Sequence, residues 1–307
     1  MPKDFLSVAD WSADELRGML ARARELKDLL KRGERPQTLE GRTLVMYFEH
    51  PSLRTRVTFE AGMTQLGGHA ILLRPEEVGI GTREPASDVA RNLSRWVDGL
   101  MARAPSHALL EELARVATIP IVNGLTDLLH PCQVMADLLT ISERADPERV
   151  EIAYVGDGNN VANSLLLACS VLGLRLRLGT PASHRPAVRV RRQAEERAAR
   201  SGARILWTED PVEAVRGADF VYTDVWASMG QETEAQTRRK IFRPYQVNAR
   251  LLQHAPDALV MHDLPAHRGE EITDEVLDGP RSIVFDQAEN RLHAQKAILE
   301  RLLSRRR

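Results

Sequence analysis

Apolar positions along this chain follow two alternating rhythms. Compact apolar runs of strand length recur, and between them apolar residues return every three or four positions, the spacing of an amphipathic helix. The first helical stretch opens at Ser12 with Glu15 in the capping-box position and carries Leu16, Met19, Leu20, Leu26, Leu29 and Leu30 on one face. Strand-like runs follow at 42–48 (RTLVMYF), 68–73 (GHAILL), 99–103 (GLMAR) and 119–124 (IPIVNG). Helix-like stretches separate them at 52–66, 86–97 and 107–117, and CQVMADLLTISERA is a long helix closing the first half.

The second half repeats this grammar, with strands expected at 150–156, 174–179, 203–207, 219–226 and 257–265 and helices near 160–172, 187–200 and 212–217. A last helix, AENRLHAQKAILERLLSRRR, has Leu292, Ala294, Ile298, Leu299 and Leu302 as its buried stripe. Strands alternating with helices predict an α/β protein with two parallel-sheet domains of similar size. The polar run ERADPER near 143–148 marks the only break, which divides the chain into 1–142 and 143–307.

Composition narrows the picture. A chain of 307 residues with 43% hydrophobic and 28% charged residues suits two soluble globular domains. A net charge of −1 gives no reason to expect nucleic acid or an anionic membrane as a partner, and Arg305 to Arg307 read as a solvated helix end. Two cysteines, Cys132 and Cys169, and no apolar leader or 18-residue apolar run point to a reduced, cytoplasmic setting.

In open parallel sheets ligands gather at the carboxyl ends of the strands, so the residues after each apolar run carry the expected chemistry. In 50-HPSLRTRVTFE-60, Ser52 can cap a helix with Arg54, Thr55 and Arg56 in its first turn. Free N–H groups, hydroxyls and guanidinium forks there suit a phosphate dianion, although a capped surface helix with solvated arginines carries the same pattern. The turn 156-GDGNN-160 lacks the third glycine of a dinucleotide fingerprint, because Val161 occupies that position, and is left as a turn presenting Asn160. In 130-HPCQ-133, His130 and Gln133 can both donate to one carbonyl-type oxygen, and a structural histidine at a helix start is the competing reading. The stretch 224-DVWASMGQE-232 offers Asp224, Ser228 and the Met229-Gly230 backbone to a cationic amine, or is an ordinary loop cap. Finally, 262-HDLPAHRGEE-271 places Asp263 at a strand mouth between His262 and His267, and 289-ENRLH-293 opens the last helix. No H-E-x-x-H, zinc-spaced Cys/His pairs or G-x-S-x-G occur, so neither a metal nor a serine hydrolase is expected.

Taken in order, these motifs resemble the aspartate/ornithine transcarbamylase family over nearly the whole chain. Ser52-Leu53-Arg54-Thr55-Arg56 resembles the family's S-T-R-T-R loop, and His130-Pro131-Cys132-Gln133 its H-P-x-Q. Ser228-Met229-Gly230 and the H-x-L-P-A of 262–266 resemble the ornithine branch. The resemblance implies an N-terminal carbamoyl-phosphate domain, a C-terminal ornithine domain, long helices linking them, and a C-terminal helix (about 286–307) that returns to the first domain. It also implies a homotrimer, or multiples of one, with sites between subunits and no metal or organic cofactor. Residue by residue, Ser52, Leu53, Arg54, Thr55 and Arg103 would hold the phosphate, and His130, Gln133 and Arg291 the carbamoyl group. Asn160, Asp224, Ser228, Met229, Asp263 and Leu264 would hold ornithine, and Arg83 in 79-GIGTRE-84 would reach a neighbouring subunit's site. Arg103, His130, Asp263 and Arg291 would be the catalytic groups, with Arg54, Arg103 and His130 stabilising the oxygens where charge develops as an amine attacks the carbamoyl carbon and phosphate leaves.

Four positions depart from the family pattern. Leu53 replaces the usual threonine of the loop, and Ala104-Pro105 replaces a bulkier pair. Asp263 stands where the ornithine branch typically carries cysteine. A carboxylate in place of a thiol, beside Asp224, favours the ammonium form of the attacking amine, which cannot attack. Asp263 therefore keeps two further readings open: a carbamoyltransferase for another amine, and a non-catalytic ligand-binding paralogue.

Overall fold

The structure, a computed structural model, describes residues 2–227 and 232–304. It divides into two compact units, Met1–Leu139 with Glu289–Arg307, and Thr140–Ala288. Both passages of the chain from one unit to the other fall inside helices, Pro131–Arg144 and Val284–Leu303. The polar run at 143–148 therefore lies a few residues beyond the first of these passages.

The first unit holds a four-stranded parallel sheet in the order β2-β1-β3-β4, built from β1 (Thr43–Phe48), β2 (His69–Leu73), β3 (Gly99–Arg103) and β4 (Ile121–Leu125). β1 and β3 are buried almost throughout, as expected for strands covered on both faces, whereas the edge strand β2 is half exposed. Val45, Tyr47, Leu100, Ala102 and Ile121 face Val89, Leu93, Leu110 and Leu113 from the helices Ala86–Trp96 and His107–Val116. Ser12 and Glu15 form the expected capping box on the helix Ala13–Lys31. The last helix packs within this unit through Leu303 against Gly99, and through the pair Arg22–Glu300, whose Nη2–Oε1 bond is 2.8 Å.

The second unit holds a five-stranded parallel sheet in the order β7-β6-β5-β8-β9. Its strands are β5 (Glu151–Val155), β6 (Arg175–Gly179), β7 (Arg204–Thr208), β8 (Phe220–Thr223) and β9 (Leu259–His262). Every residue of the helix Asn160–Leu172 is buried. Gly158 is required for a close approach: a Cβ there would sit 2.4 Å from the Arg185 carbonyl carbon and the Pro186 nitrogen.

In each sheet the strand order reverses once, between β1 and β3 and between β5 and β8. Such switch points open a crevice at the carboxyl ends of the strands. The motifs singled out in the sequence follow these strands, except 289-ENRLH-293, which lies inside the last helix.

One buried cation in the first unit has a thermodynamic consequence. Lys296 is 2% exposed and donates to Gln65 Oε1 at 3.1 Å. Burial lowers its ammonium to about 8 from an ordinary 10.5, with Glu300 opposing and Arg22 and Arg35 assisting. The unfolded chain thus keeps this proton up to pH 10.5 while the folded chain gives it up near 8, so stability rises as pH climbs through that window. Lys296→Met is expected to stabilise the protein by about 2 kcal/mol at pH 7, a gain that shrinks towards pH 10. Urea unfolding at both pH values checks this. An equal gain at both would show that the ammonium carries no folding penalty.

Candidate active site

The first cluster is built where β1 and β3 end side by side, with Phe48 and Arg103 in register. After β1, Ser52 caps the helix Leu53–Gln65, its Oγ accepting from the Thr55 N–H at 3.4 Å. Thr55, in the first turn, is fully buried, and its Oγ1 accepts from Arg291 Nη2 at 2.7 Å and from Arg103 Nη1 at 3.3 Å. The other fork of Arg291, Nη1, donates to Gln133 Oε1 at 2.8 Å. Gln133 in turn donates through Nε2 to Asp137 Oδ1, one helical turn on, at 2.8 Å, which fixes which end of its amide faces Arg291. Arg103 and Arg291 are 9% and 2% exposed. Two buried guanidinium groups converging on one hydroxyl repel each other, and an anion is the ligand that turns this cost into binding energy.

His130 immediately precedes the helix Pro131–Arg144 and is held there by its own turn. The Thr126 N–H donates to the Leu129 carbonyl at 2.9 Å, and the Leu129 N–H donates to Thr126 Oγ1 at 3.1 Å. The imidazole is 1% exposed, and burial, with Arg291 and Arg103 nearby, holds its pKa well below the ordinary 6.5. His130 is therefore a neutral ring at physiological pH, able to donate one hydrogen bond without adding a third positive charge. The neighbouring Cys132 is inert: burial pushes its thiol up to about 12.

The other residues at this end are exposed to differing degrees. Leu53 points outward and is 74% exposed, so it can serve an anion only through its backbone N–H. Arg54 is half buried, whereas Arg56 is exposed and pairs with Glu60 at 3.6 Å. Ser52, Leu53, Arg56 and Val57 line a groove of about 940 Å³. Arg83 is exposed in a tight turn, its N–H donating to the Gly79 carbonyl at 2.7 Å.

The second cluster forms where β5, β8 and β9 end. Asn159 caps the helix Asn160–Leu172 through Oδ1, which accepts from the Val161 and Ala162 N–H groups at 3.0 and 3.2 Å. Its Nδ2 donates to Asp224 Oδ2 at 2.6 Å, and Asp224 Oδ1 accepts from the Val225 N–H at 2.7 Å. The buried carboxylate just past β8 is thus aimed by its neighbours. Asn160, 8% exposed, begins the same helix. Asp263 follows β9, and Asp224, His262 and Asp263 each bring an oxygen or nitrogen within 4.8 Å of the others. This grouping comes from the ends of two strands, so a search for ligand spacing along the chain does not find it. Both ring nitrogens of His262 are already engaged, Nδ1 with the Leu264 N–H at 2.9 Å and Nε2 with Glu271 Oε1 at 3.0 Å. A cation there would have to displace one of them.

Beside Asp224, the buried pair Asp157 and Arg238 ties the turn after β5 to the helix Ala235–Phe242, and Arg238 Nε also donates to the Trp226 carbonyl. Burial raises the Asp157 carboxyl, against the pull of Arg238 and with a further push from Asp224. Ser228 and Met229 lie outside the described residues. The structure therefore gathers Thr55, Arg103, His130, Gln133 and Arg291 in the first unit, and Asn160, Asp224, Asp263 and Leu264 at the strand ends of the second. Asp137, Asp157, Asn159, Arg238 and Glu271 were not anticipated. Asn159 alone had a local signal, an asparagine just before a helix.

Family profiles match both halves of the chain. Residues 3–143 match the aspartate/ornithine carbamoyltransferase carbamoyl-P binding domain, and residues 148–302 the Asp/Orn binding domain of the same family. The chain is 52% identical over 299 residues to the anabolic ornithine carbamoyltransferase of Pyrococcus furiosus, covering 97% of this chain and 95% of that one. It is also 52% identical over 306 residues to the ornithine carbamoyltransferase of Methanoculleus marisnigri, covering 99% and 98% of the two chains. Among solved structures, ornithine carbamoyltransferase from Pyrococcus furiosus superposes with a TM-score of 0.96 at 50% identity, covering 99% of this chain and 98% of that one. The Thermus thermophilus enzyme superposes with a TM-score of 0.88 at 45% identity, covering 99% of both chains.

Proposed function

Because the chain belongs to the aspartate/ornithine carbamoyltransferase family, we propose that it transfers the carbamoyl group of carbamoyl phosphate to the side-chain amine of L-ornithine, giving L-citrulline and phosphate in arginine biosynthesis. The observation that carries this reading is the buried meeting of Arg103 and Arg291 at the Thr55 hydroxyl, beside Gln133 and a neutral His130. Such a site suits a compact dianion bearing a carbonyl. Ser52, Thr55, Arg54, Arg103 and the Leu53 N–H would hold the phosphate at the start of a helix. Arg291, His130 and Gln133 would face the carbamoyl group, and Gln133 is oriented for that by Asp137.

The amine lone pair forms the C–N bond, negative charge collects on the carbamoyl oxygen, and the C–O bond to phosphate then breaks. Arg291 and His130 would stabilise that oxygen and Arg103 the departing phosphate, which in the net balance takes up the proton that the amine loses. Asn160, Asp224, Ser228, Met229, Asp263 and Leu264 would hold ornithine.

Assembly as a homotrimer or a multiple of one, in the cytoplasm, belongs to the same reading. Self-association is supported by the exposed Leu53 and Val57 in the groove beside the phosphate loop, and it would let Arg83 serve a neighbouring subunit's site. Light scattering is expected to give a mass of at least three 34.4 kDa chains, and a monomer would remove the role assigned to Arg83. No helix among the described residues is long and apolar enough to cross a membrane.

The test is turnover of carbamoyl phosphate against ornithine, N-acetylornithine, lysine and putrescine, scored as ureido product between about pH 6 and 10, a window chosen to span amine titration. Citrulline from ornithine, with little product from the others, is the expected result. Product from another amine alone would overturn the substrate assignment.

A further inference from the structure

Glu271 lies at the end of the stretch beginning at Asp263 and is completely buried, as is His262. A buried carboxylate is costly unless it is bonded. Its Oε1 accepts from His262 Nε2 at 3.0 Å and from the His267 N–H at 2.6 Å. His262 Nδ1 accepts from the Leu264 N–H at 2.9 Å. A ring nitrogen that accepts carries no proton, so the neutral ring must hold its proton on Nε2, where Glu271 takes it as a hydrogen bond. The backbone N–H of His262 is separately anchored to Gln287 Oε1 at 2.9 Å.

The recipient of this chain of bonds is unusual. Leu264 has φ +58°, a left-handed conformation that leucine rarely adopts, so external contacts must hold it there. The His262 ring supplies one at the residue next to Asp263. Were the ring to take the other tautomer, Nδ1–H would face the Leu264 N–H and the contact would be lost. We propose that Glu271 is a positioning residue: by accepting from Nε2 it locks the His262 tautomer that holds Leu264, and thereby sets the Asp263–Leu264 turn that receives the amine substrate.

This inference rests on the proposed carbamoyl transfer to ornithine for its kinetic readout, but not for its structural one. In the full-length protein, Glu271→Ala is expected to lower kcat/KM for ornithine about tenfold or more, the effect of losing one buried hydrogen-bond acceptor. Carbamoyl phosphate affinity, measured by calorimetry without amine, should change less than about twofold. Glu271→Gln, which keeps an acceptor oxygen, should recover activity to within about threefold of the parent. An asparagine side chain can itself accept from the N–H two residues on, so His262→Asn should preserve the turn without the ring. Glu271→Ala should then have a clearly smaller further effect in the His262→Asn background, limited to the loss of its bond to the His267 N–H.

Equal losses from Glu271→Ala in both backgrounds would overturn the relay. So would a loss of carbamoyl phosphate affinity as large as the kinetic defect. If Glu271→Ala does not fold, ¹⁵N NMR of histidine-labelled parent protein decides the matter directly: a protonated Nε2 with an unprotonated Nδ1 on His262 supports the proposal, and the reverse tautomer overturns it. That spectrum is read without substrate. Failure to form citrulline would therefore count against the proposed activity and leave the relay to be judged by the tautomer.

Discussion

Arg291→Ala is expected to lower kcat for citrulline formation about 10³-fold, the effect of removing one buried donor from a developing oxyanion together with the positioning it provides. The fork of Arg291 spans two groups, with Nη2 on the Thr55 hydroxyl and Nη1 on the Gln133 amide oxygen. Truncation thus removes a charge and leaves two buried partners without their shared donor. Arg291→Lys should recover little, because an ammonium cannot reproduce the planar fork. Thr55→Val is the milder companion, expected to cost about tenfold by removing the oxygen on which Arg103 and Arg291 meet. Steady-state kinetics with calorimetry for carbamoyl phosphate separates the effects: a kcat loss larger than the affinity loss marks stabilisation that develops during reaction. A change in affinity alone would assign Arg291 to ground-state binding. Because burial and two guanidinium neighbours keep His130 neutral, the parent profile should show no His130 limb near pH 6.5.

Much of this arrangement could be read from the chain, because strand ends and helix caps leave local marks. β1, β2 and β3 lie within a residue of their expected bounds, as does the helix after Ser52. The apolar pattern predicts one strand over 219–226, but β8 stops at Thr223, since Asp224 bonds to Asn159 and to the Val225 N–H instead of continuing the sheet. The short helices Pro75–Val78, Ala249–Leu252 and Asp274–Leu277 are a single turn each and leave too few positions for a periodic pattern. The helix Ala235–Phe242 leaves no periodic pattern for a different reason. Its buried Arg238 sits where an apolar residue would have revealed the inward face.

The same distinction divides the site. Arg54, Thr55, His130 and Gln133 belong to compact motifs, and some contacts that orient them are local, such as Asp137 to Gln133, whereas others are long-range. Arg291 reaches Thr55 across 236 positions, and Arg238 reaches Asp157 across 81. Glu271 looks like one acid among several in a polar stretch, and only the fold reveals that it is buried against His262. The residues proposed to touch ligands sit mostly in recognisable motifs, while several that aim them, such as Glu271 and Arg238, show that role only in the fold.

Asp263→Cys is expected to raise citrulline formation at pH 7.5 by about tenfold and to move the acid limb of the kcat/KM profile down by about 1–2 pH units. The argument turns on protonation of the nucleophile. An alkylamine titrates near 10.4 and attacks only when neutral, so each unit added to its pKa costs about tenfold in reactive amine at a fixed pH. Asp224 and Asp263 bring their oxygens within 4.8 Å of one another, and a second carboxylate beside the amine strengthens its ammonium form. At an effective dielectric of about 20, one such charge at about 4 Å contributes at most roughly 4 kcal/mol, which solvent screening reduces to the 1–2 units expected here. A thiol largely protonated at pH 7.5 removes that charge. Asp263→Asn removes it without introducing sulfur, so both variants should shift the limb in the same direction. If instead both lower the rate across the whole profile, the carboxylate is accepting the proton that the amine loses, and Asp263 acts as a general base. The direction of the limb, more than the size of the rate change, decides between a carboxylate that hinders the amine and one that activates it.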